Sequence, residues 1–195
     1  MQGNPIELIV GLGNPGSQYQ SNRHNAGALF LDELCRHYHG QLRHESKFAG
    51  AFGNVTIDGR DVKLLIPATF MNHSGRSVAA VCRFFKIEPQ HLLVAYDEID
   101  FDVGVTRFKE GGGHGGHNGI RDIINALGGN NEFYRLRIGV GHPGHKSMVA
   151  NYVLSDPSKS EAEIIMADID AAIRVMPQAV TGRWEEAMRL LHTQN

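Results

Sequence analysis

His24 and Asp97 are the two residues of this chain best placed for acid–base chemistry. His24 lies in Asn22-Arg23-His24-Asn25, between an apolar run that reads as a strand and a pattern that reads as a helix. Junctions of this kind gather site residues. An imidazole there acts as a general base when a carboxylate orients its far nitrogen and stabilises the imidazolium. Asp97, just past the apolar run Leu92–Tyr96, is such a carboxylate. The residues alone leave two alternatives for His24: a general base, or a solvated histidine at a helix terminus. No Gly-x-Ser-x-Gly elbow occurs, and Cys35 and Cys82 each sit inside an apolar segment, so no covalent nucleophile is indicated. A histidine–carboxylate pair without a nucleophile implies direct attack by water. Amides such as Asn14 and Asn72 then serve as donors to a developing oxyanion.

Two other chemistries compete. His114-Gly115-Gly116-His117 and His142-Pro143-Gly144-His145 both read H-x-x-H, and four imidazoles that met would bind zinc. No cysteine or acidic ligand flanks them, and a glycine loop fixes no ligand geometry. The stretch Gly11–Gly16, GLGNPG, matches the dinucleotide fingerprint after a strand. That fingerprint needs a helix starting within the glycines. Here Pro15 and a polar segment without helical periodicity follow, and the helix is expected only near Ala26. Asn14 is then a side chain presented on a tight strand-to-loop turn. The later glycines, Gly111–Gly116, read as a flexible loop whose backbone amides can approach a phosphate. Lys109 and Arg107 share one side of their strand, as do Arg135 and Arg137, which predicts a basic outer face beside that loop.

These residues need a scaffold. Apolar runs of strand length alternate with helical patterns along the chain. Strands are expected over Ile6–Leu12, Ala51–Ile57, Val62–Ile66, Leu92–Tyr96, Gly104–Phe108 and Phe133–Val140, with a hairpin at Asp58-Gly59. Helices are expected over Ala26–Tyr38, Ser74–Lys86, Asn118–Leu127, Ser158–Met176 and Ala179–Leu191. This alternation predicts an α/β fold: a single domain over 1–195, with a twisted mixed β-sheet flanked by helices on both faces. Ligands of such sheets sit beyond the carboxyl ends of the strands. There lie Asn14, then Phe70-Met71-Asn72, then Asp97. The glycine loop delivers Asn118 to the same rim.

Bulk properties are compatible with this architecture. The 195 residues are 42% hydrophobic and 21% charged, as in globular proteins. The formal net charge of −2 argues against a general polyanion binder, yet residues 101–150 hold 6 bases against 4 acids, so a local basic surface is allowed. No run approaches a membrane span and the first residues lack a signal-peptide pattern, so a cytoplasmic protein is expected. Two distant cysteines fit reduced core thiols.

Four stretches together resemble the bacterial-type peptidyl-tRNA hydrolase family: IVGLGNPGSQYQSNRHNAG at 9–27, PATFMNHSGRSV at 67–78, YDEID with RFKEGGGHGGHNGIRDI within 96–123, and RLRIGVGHPG at 135–144. The resemblance implies cleavage of the ester between a peptide and the terminal ribose of tRNA. It implies His24 as the catalytic base, Asp97 as its supporting carboxylate, and Asn14 as the residue that distinguishes a blocked from a free α-amino group. Asn72 and Asn118 match substrate-positioning amides. Tyr19 and Phe70 match residues around the tRNA end, Met71 and His117 flank the pocket, and Lys109 and Arg137 match phosphate-binding bases. It also implies no metal or other cofactor, no membrane, no obligate protein partner and a monomer. Tyr96 departs from the family, which often has histidine there, and Phe101-Asp102-Val103-Gly104 replaces a more proline-rich turn. The residues also admit a non-catalytic RNA-binding module and a zinc hydrolase.

Overall fold

The computed structural model describes residues 2–192. Seven strands form one sheet: β1 (Leu8–Gly11), β2 (Arg43–Glu45), β3 (Gly50–Ile57), β4 (Arg60–Pro67), β5 (Leu92–Glu98), β6 (Thr106–Glu110) and β7 (Tyr134–Gly139). Their order is β2-β3-β4-β1-β5-β7-β6. The four central strands, β4, β1, β5 and β7, run parallel, so their carboxyl ends share one edge. The outer strands β2–β3, β3–β4 and β6–β7 pair antiparallel. The α/β fold with a mixed sheet is therefore as the sequence predicts. Asp58 and Gly59 both take positive φ, at 47° and 75°, which is what a tight hairpin between twisted strands requires.

The helices are α1 (Ala26–His37), α2 (Ser74–Phe85), α3 (Asn118–Ala126), α4 (Val149–Val153), α5 (Lys159–Arg174), α6 (Met176–Val180) and α7 (Trp184–His192). One face of the sheet is covered by α1, α5, α6 and α7 around Phe30, Leu34, Leu136 and Trp184. The other is covered by α2 and α3 around Val10, Val78, Val94 and Ile120. Both β1 and β5 are buried on their two faces, which explains their continuous apolar runs.

Two expectations need correction. The helix expected over Ala179–Leu191 is broken. Gly182 takes φ +83°, and its backbone carbonyl accepts from Gly3 N–H at 2.8 Å, so the chain turns between α6 and α7. The periodic residues Val180, Trp184, Ala187 and Leu191 are all buried nonetheless. The basic outer face is also only partly solvated. Arg135 is 1% exposed because the glycine loop crosses over it.

The first turn of α1 does the positioning that matters most here. Gly27 lies so near β5 that a Cβ there would stand 2.1 Å from the Ala95 carbonyl oxygen. The Leu12 carbonyl accepts from Ala28 N–H at 2.9 Å, satisfying one of the helix's orphan donors. The short 3-10 turn Arg23–Asn25 that precedes α1 is thus held against the end of β5.

Candidate active site

His24 and Asp97 touch. Nδ1 of His24 lies 2.8 Å and 3.0 Å from the two carboxylate oxygens of Asp97. On the other side, Nε2 of His117 lies 2.8 Å from Asp97 Oδ1. The Asp97 side chain is 1% exposed and that of His24 12%. The tautomers follow from the network. His117 is the N-cap of α3, and its Nδ1 accepts from Gly119 N–H and Ile120 N–H at 3.1 and 3.3 Å. Its ring proton is therefore on Nε2 and is donated to Asp97. The second strong donor to Asp97 is Nδ1–H of His24. That leaves Nε2 of His24 free of a protein hydrogen bond among the described residues, on a side chain that lines the cleft.

The charges are tuned accordingly. Burial works against protonating His24, but the Asp97 charge and its hydrogen bond outweigh it, so His24 is raised above an ordinary imidazole. Burial alone would push Asp97 up. The two imidazoles beside it reverse this and hold the carboxyl well below the usual carboxylate range. Asp97 stays ionised and acts as a fixed counter-charge.

The cleft above His24 has a volume of about 650 Å³. Asp97, His117 and Asn118 line it on one side, and His142, Val149 and Val153 on another. The wall formed by α4 is tied to the residue beside His24. Arg23 stacks 4.0 Å over the Tyr152 ring, donates to Ser155 Oγ at 2.6 Å and pairs with Glu161 at 3.2 Å. Sequence patterning does not reveal α4, which is too short for a helical period, although Val149 and Val153 stand four residues apart on its cleft side.

The amides occupy two places. Asn118 lines the cleft, with Oδ1 accepting from Arg121 at 2.9 Å. Asn14 lines the neighbouring groove. Its Oδ1 accepts from Met71 N–H at 2.7 Å, so its Nδ2 remains a donor. A reciprocal pair with Asn25 fixes its backbone at 2.9 Å in both directions. Asn72 is exposed on the 3-10 turn Met71–His73. Buried Met71 joins the two places, since its sulfur packs against Gly119, where a Cβ would meet it at 2.6 Å. Phe70 is 56% exposed and meets Tyr19 edge-on, with ring centroids 6.5 Å apart. Arg137 pairs with Glu98, a cleft residue, at 3.0 Å. Lys109 is exposed and lies over Gly112.

The competing chemistries fare differently. Helix α1 starts at Ala26, clear of the GLGNPG glycines, so these do not form a pyrophosphate cradle. The four H-x-x-H imidazoles do not assemble. Among the described residues, the group with ligand atoms within 4.8 Å of one another is His24, Asp97 and His117. In it both nitrogens facing Asp97 carry protons, and the far nitrogen of His117 serves α3. These donors fit a hydrogen-bonded relay better than a metal shell.

A carboxylate-backed histidine lining a cleft at the strand ends of an α/β sheet is an arrangement suited to a hydrolase. A profile of the family described as peptidyl-tRNA hydrolase matches residues 8–195. The peptidyl-tRNA hydrolase of Tolumonas auensis is 52% identical over 189 residues, covering 97% of this chain and 96% of that protein. That of Chromohalobacter salexigens is 50% identical over 190 residues, covering 97% and 98%. The crystal structure of peptidyl-tRNA hydrolase from Acinetobacter baumannii superposes with a TM-score of 0.93 at 45% identity, covering 96% of this chain and 94% of that one. The chain belongs to the peptidyl-tRNA hydrolase family.

Proposed function

We propose that this protein hydrolyses the ester between a peptide and the 3′-terminal ribose of tRNA, with His24 as the base. The observation that carries the reading is the Asp97 contact at Nδ1 of His24, a residue that lines the cleft, which supports Nε2 as the nitrogen that takes the proton. A water in the cleft gives its proton to Nε2 as its oxygen attacks the ester carbonyl. Asp97 stabilises the imidazolium that forms. The tetrahedral oxyanion is met by amide donors, for which the side chains of Asn118, in the cleft, and Asn72 are available. Collapse breaks the bond to the ribose oxygen, which takes the proton back from His24. Free peptide acid and tRNA leave. General-base help is worth typically about 10²–10⁴-fold and an oxyanion donor roughly 10²–10³-fold, enough for an already reactive ester without a covalent intermediate.

Asn14 is assigned to the peptide's blocked amino end, and Tyr19 and Phe70 to the tRNA terminus, with Met71 and His117 flanking the pocket. Lys109 and Arg137 are assigned to backbone phosphates, which position a tRNA without reading its sequence. The chain works as one domain and a monomer in the cytoplasm. Its single sheet, with helices on both faces, supports the first of these. Among the described residues, no helix is long and apolar enough to cross a membrane. The test is turnover of a peptidyl-tRNA in excess chelator by the wild type and by His24→Ala. Full turnover by the wild type, with its loss but retained tRNA binding in the variant, is expected. Full activity in His24→Ala overturns the base assignment. Chelator sensitivity favours the zinc alternative.

A further inference from the structure

Among the described residues, Arg135 is the largest fully buried side chain, and it has no part in the chemistry at His24. Its guanidinium donates to the backbone carbonyls of Gly112 and Gly113 and, at 3.4 Å, to that of Asn131. It lies 4.6 Å over the Phe133 ring, with the Tyr96 phenol also beside it. Its Nε is buried without a partner, and among the described residues no carboxylate pairs with it. A buried cation without a counter-charge is costly, and a neutral side chain could hold two carbonyls at less expense. The position of the charge supplies a reason for keeping it. Arg135 and Lys109 are register partners across β7 and β6, so their side chains leave the same face of the sheet. The loop that Arg135 grips passes between Arg135 and solvent. Lys109 in turn rests on that loop, since a Cβ on Gly112 would stand 2.8 Å from Lys109 Nζ. Gly112 also takes φ +105°, a conformation that favours glycine.

We infer that Arg135 is a positioning residue for the tRNA phosphate contact. It fixes Gly112 and Gly113 so that Gly112 seats Lys109, and a backbone phosphate of the substrate is the counter-charge its buried guanidinium lacks. The inference rests on the proposed action on peptidyl-tRNA and extends it to a residue that faces the phosphate only across the loop. Arg135 acts on binding and not on the His24 chemistry.

The test combines Arg135→Lys, Lys109→Ala, the double variant and Gly112→Ala, each checked for cooperative thermal melting. Arg135→Lys keeps a cation and gives up the two-pronged grip on the loop. It should raise KM for peptidyl-tRNA about tenfold, the cost of breaking one charge-assisted hydrogen bond. Turnover at saturation and its pH profile should stay as in the wild type. In the Lys109→Ala background the same substitution should add less than about twofold, because the two act as one unit. Additive penalties, an unchanged KM, or a fall in saturated turnover would overturn the inference. Should Arg135→Lys fail to fold, Gly112→Ala carries the test, with the same KM rise and the same non-additivity with Lys109→Ala expected. Binding of deacylated tRNA separates this from the hydrolase reading. An enzyme that cleaves no peptidyl-tRNA overturns that reading, whereas equal tRNA binding by wild type and Arg135→Lys overturns this one.

Discussion

Two polar regions of the molecule are wired in opposite ways. At the end of β5, each side-chain polar atom of the His24–Asp97–His117 cluster has a protein partner except Nε2 of His24. On β6 and β7, cations are held in place but their charges are incompletely matched, with Arg137 paired to Glu98 and Arg135 held by neutral groups. The difference fits the roles proposed for the two regions. Proton transfer needs a fixed tautomer and a preset distance before substrate arrives. Phosphate recognition, the role proposed for Lys109 and Arg137, leaves room for charge that the substrate completes.

The contrast can be broken most severely at His24. His24→Ala should lower turnover by roughly 10²–10⁴-fold, with tRNA affinity nearly unchanged, measured by single-turnover hydrolysis and by binding. Asp97→Asn comes next. The carboxylate raises His24, so its removal lets the imidazole fall back, and the ascending limb of the pH–rate profile should move to lower pH while the rate drops. An unmoved limb would break the assignment of Asp97 as counter-charge. His117→Asn sharpens the point from the other side. Asparagine still caps α3, but Asp97 loses a hydrogen bond and attracts the His24 proton more strongly. The limb should then move up, by less than Asp97→Asn moves it down. Lys109→Ala is the mildest. It should raise KM, leave saturated turnover in place, and reduce the salt dependence of tRNA binding by about one unit of slope.

Much of this architecture is legible in the residues, for identifiable reasons. Strands buried on both faces, such as β1 and β5, announce themselves as apolar runs, and the strand ends then name Asn14 and Asp97. Helix α1 shows its buried face in Phe30, Leu31, Leu34 and Cys35. The hairpin shows in Asp58-Gly59. What stays hidden depends on contacts between distant parts of the chain. The break at Gly182 arises from Gly3, and the three-residue β2 and five-residue α4 are too short for any period to show. Alternation puts Arg135 on a basic face correctly but does not show that the glycine loop roofs it. His117 reads as part of a loop motif, and only its double role, capping α3 while donating to Asp97, explains its place.

The close approach of Gly27 to β5 extends the functional surface beyond the residues that meet substrate. No atom of Gly27 takes part in the chemistry, yet a single methyl group there would collide with the Ala95 carbonyl and lever the neighbouring turn, with His24, off its carboxylate. A saturation scan of this protein should therefore score position 27 as intolerant as position 24, although no substrate-bound complex would ever reveal why.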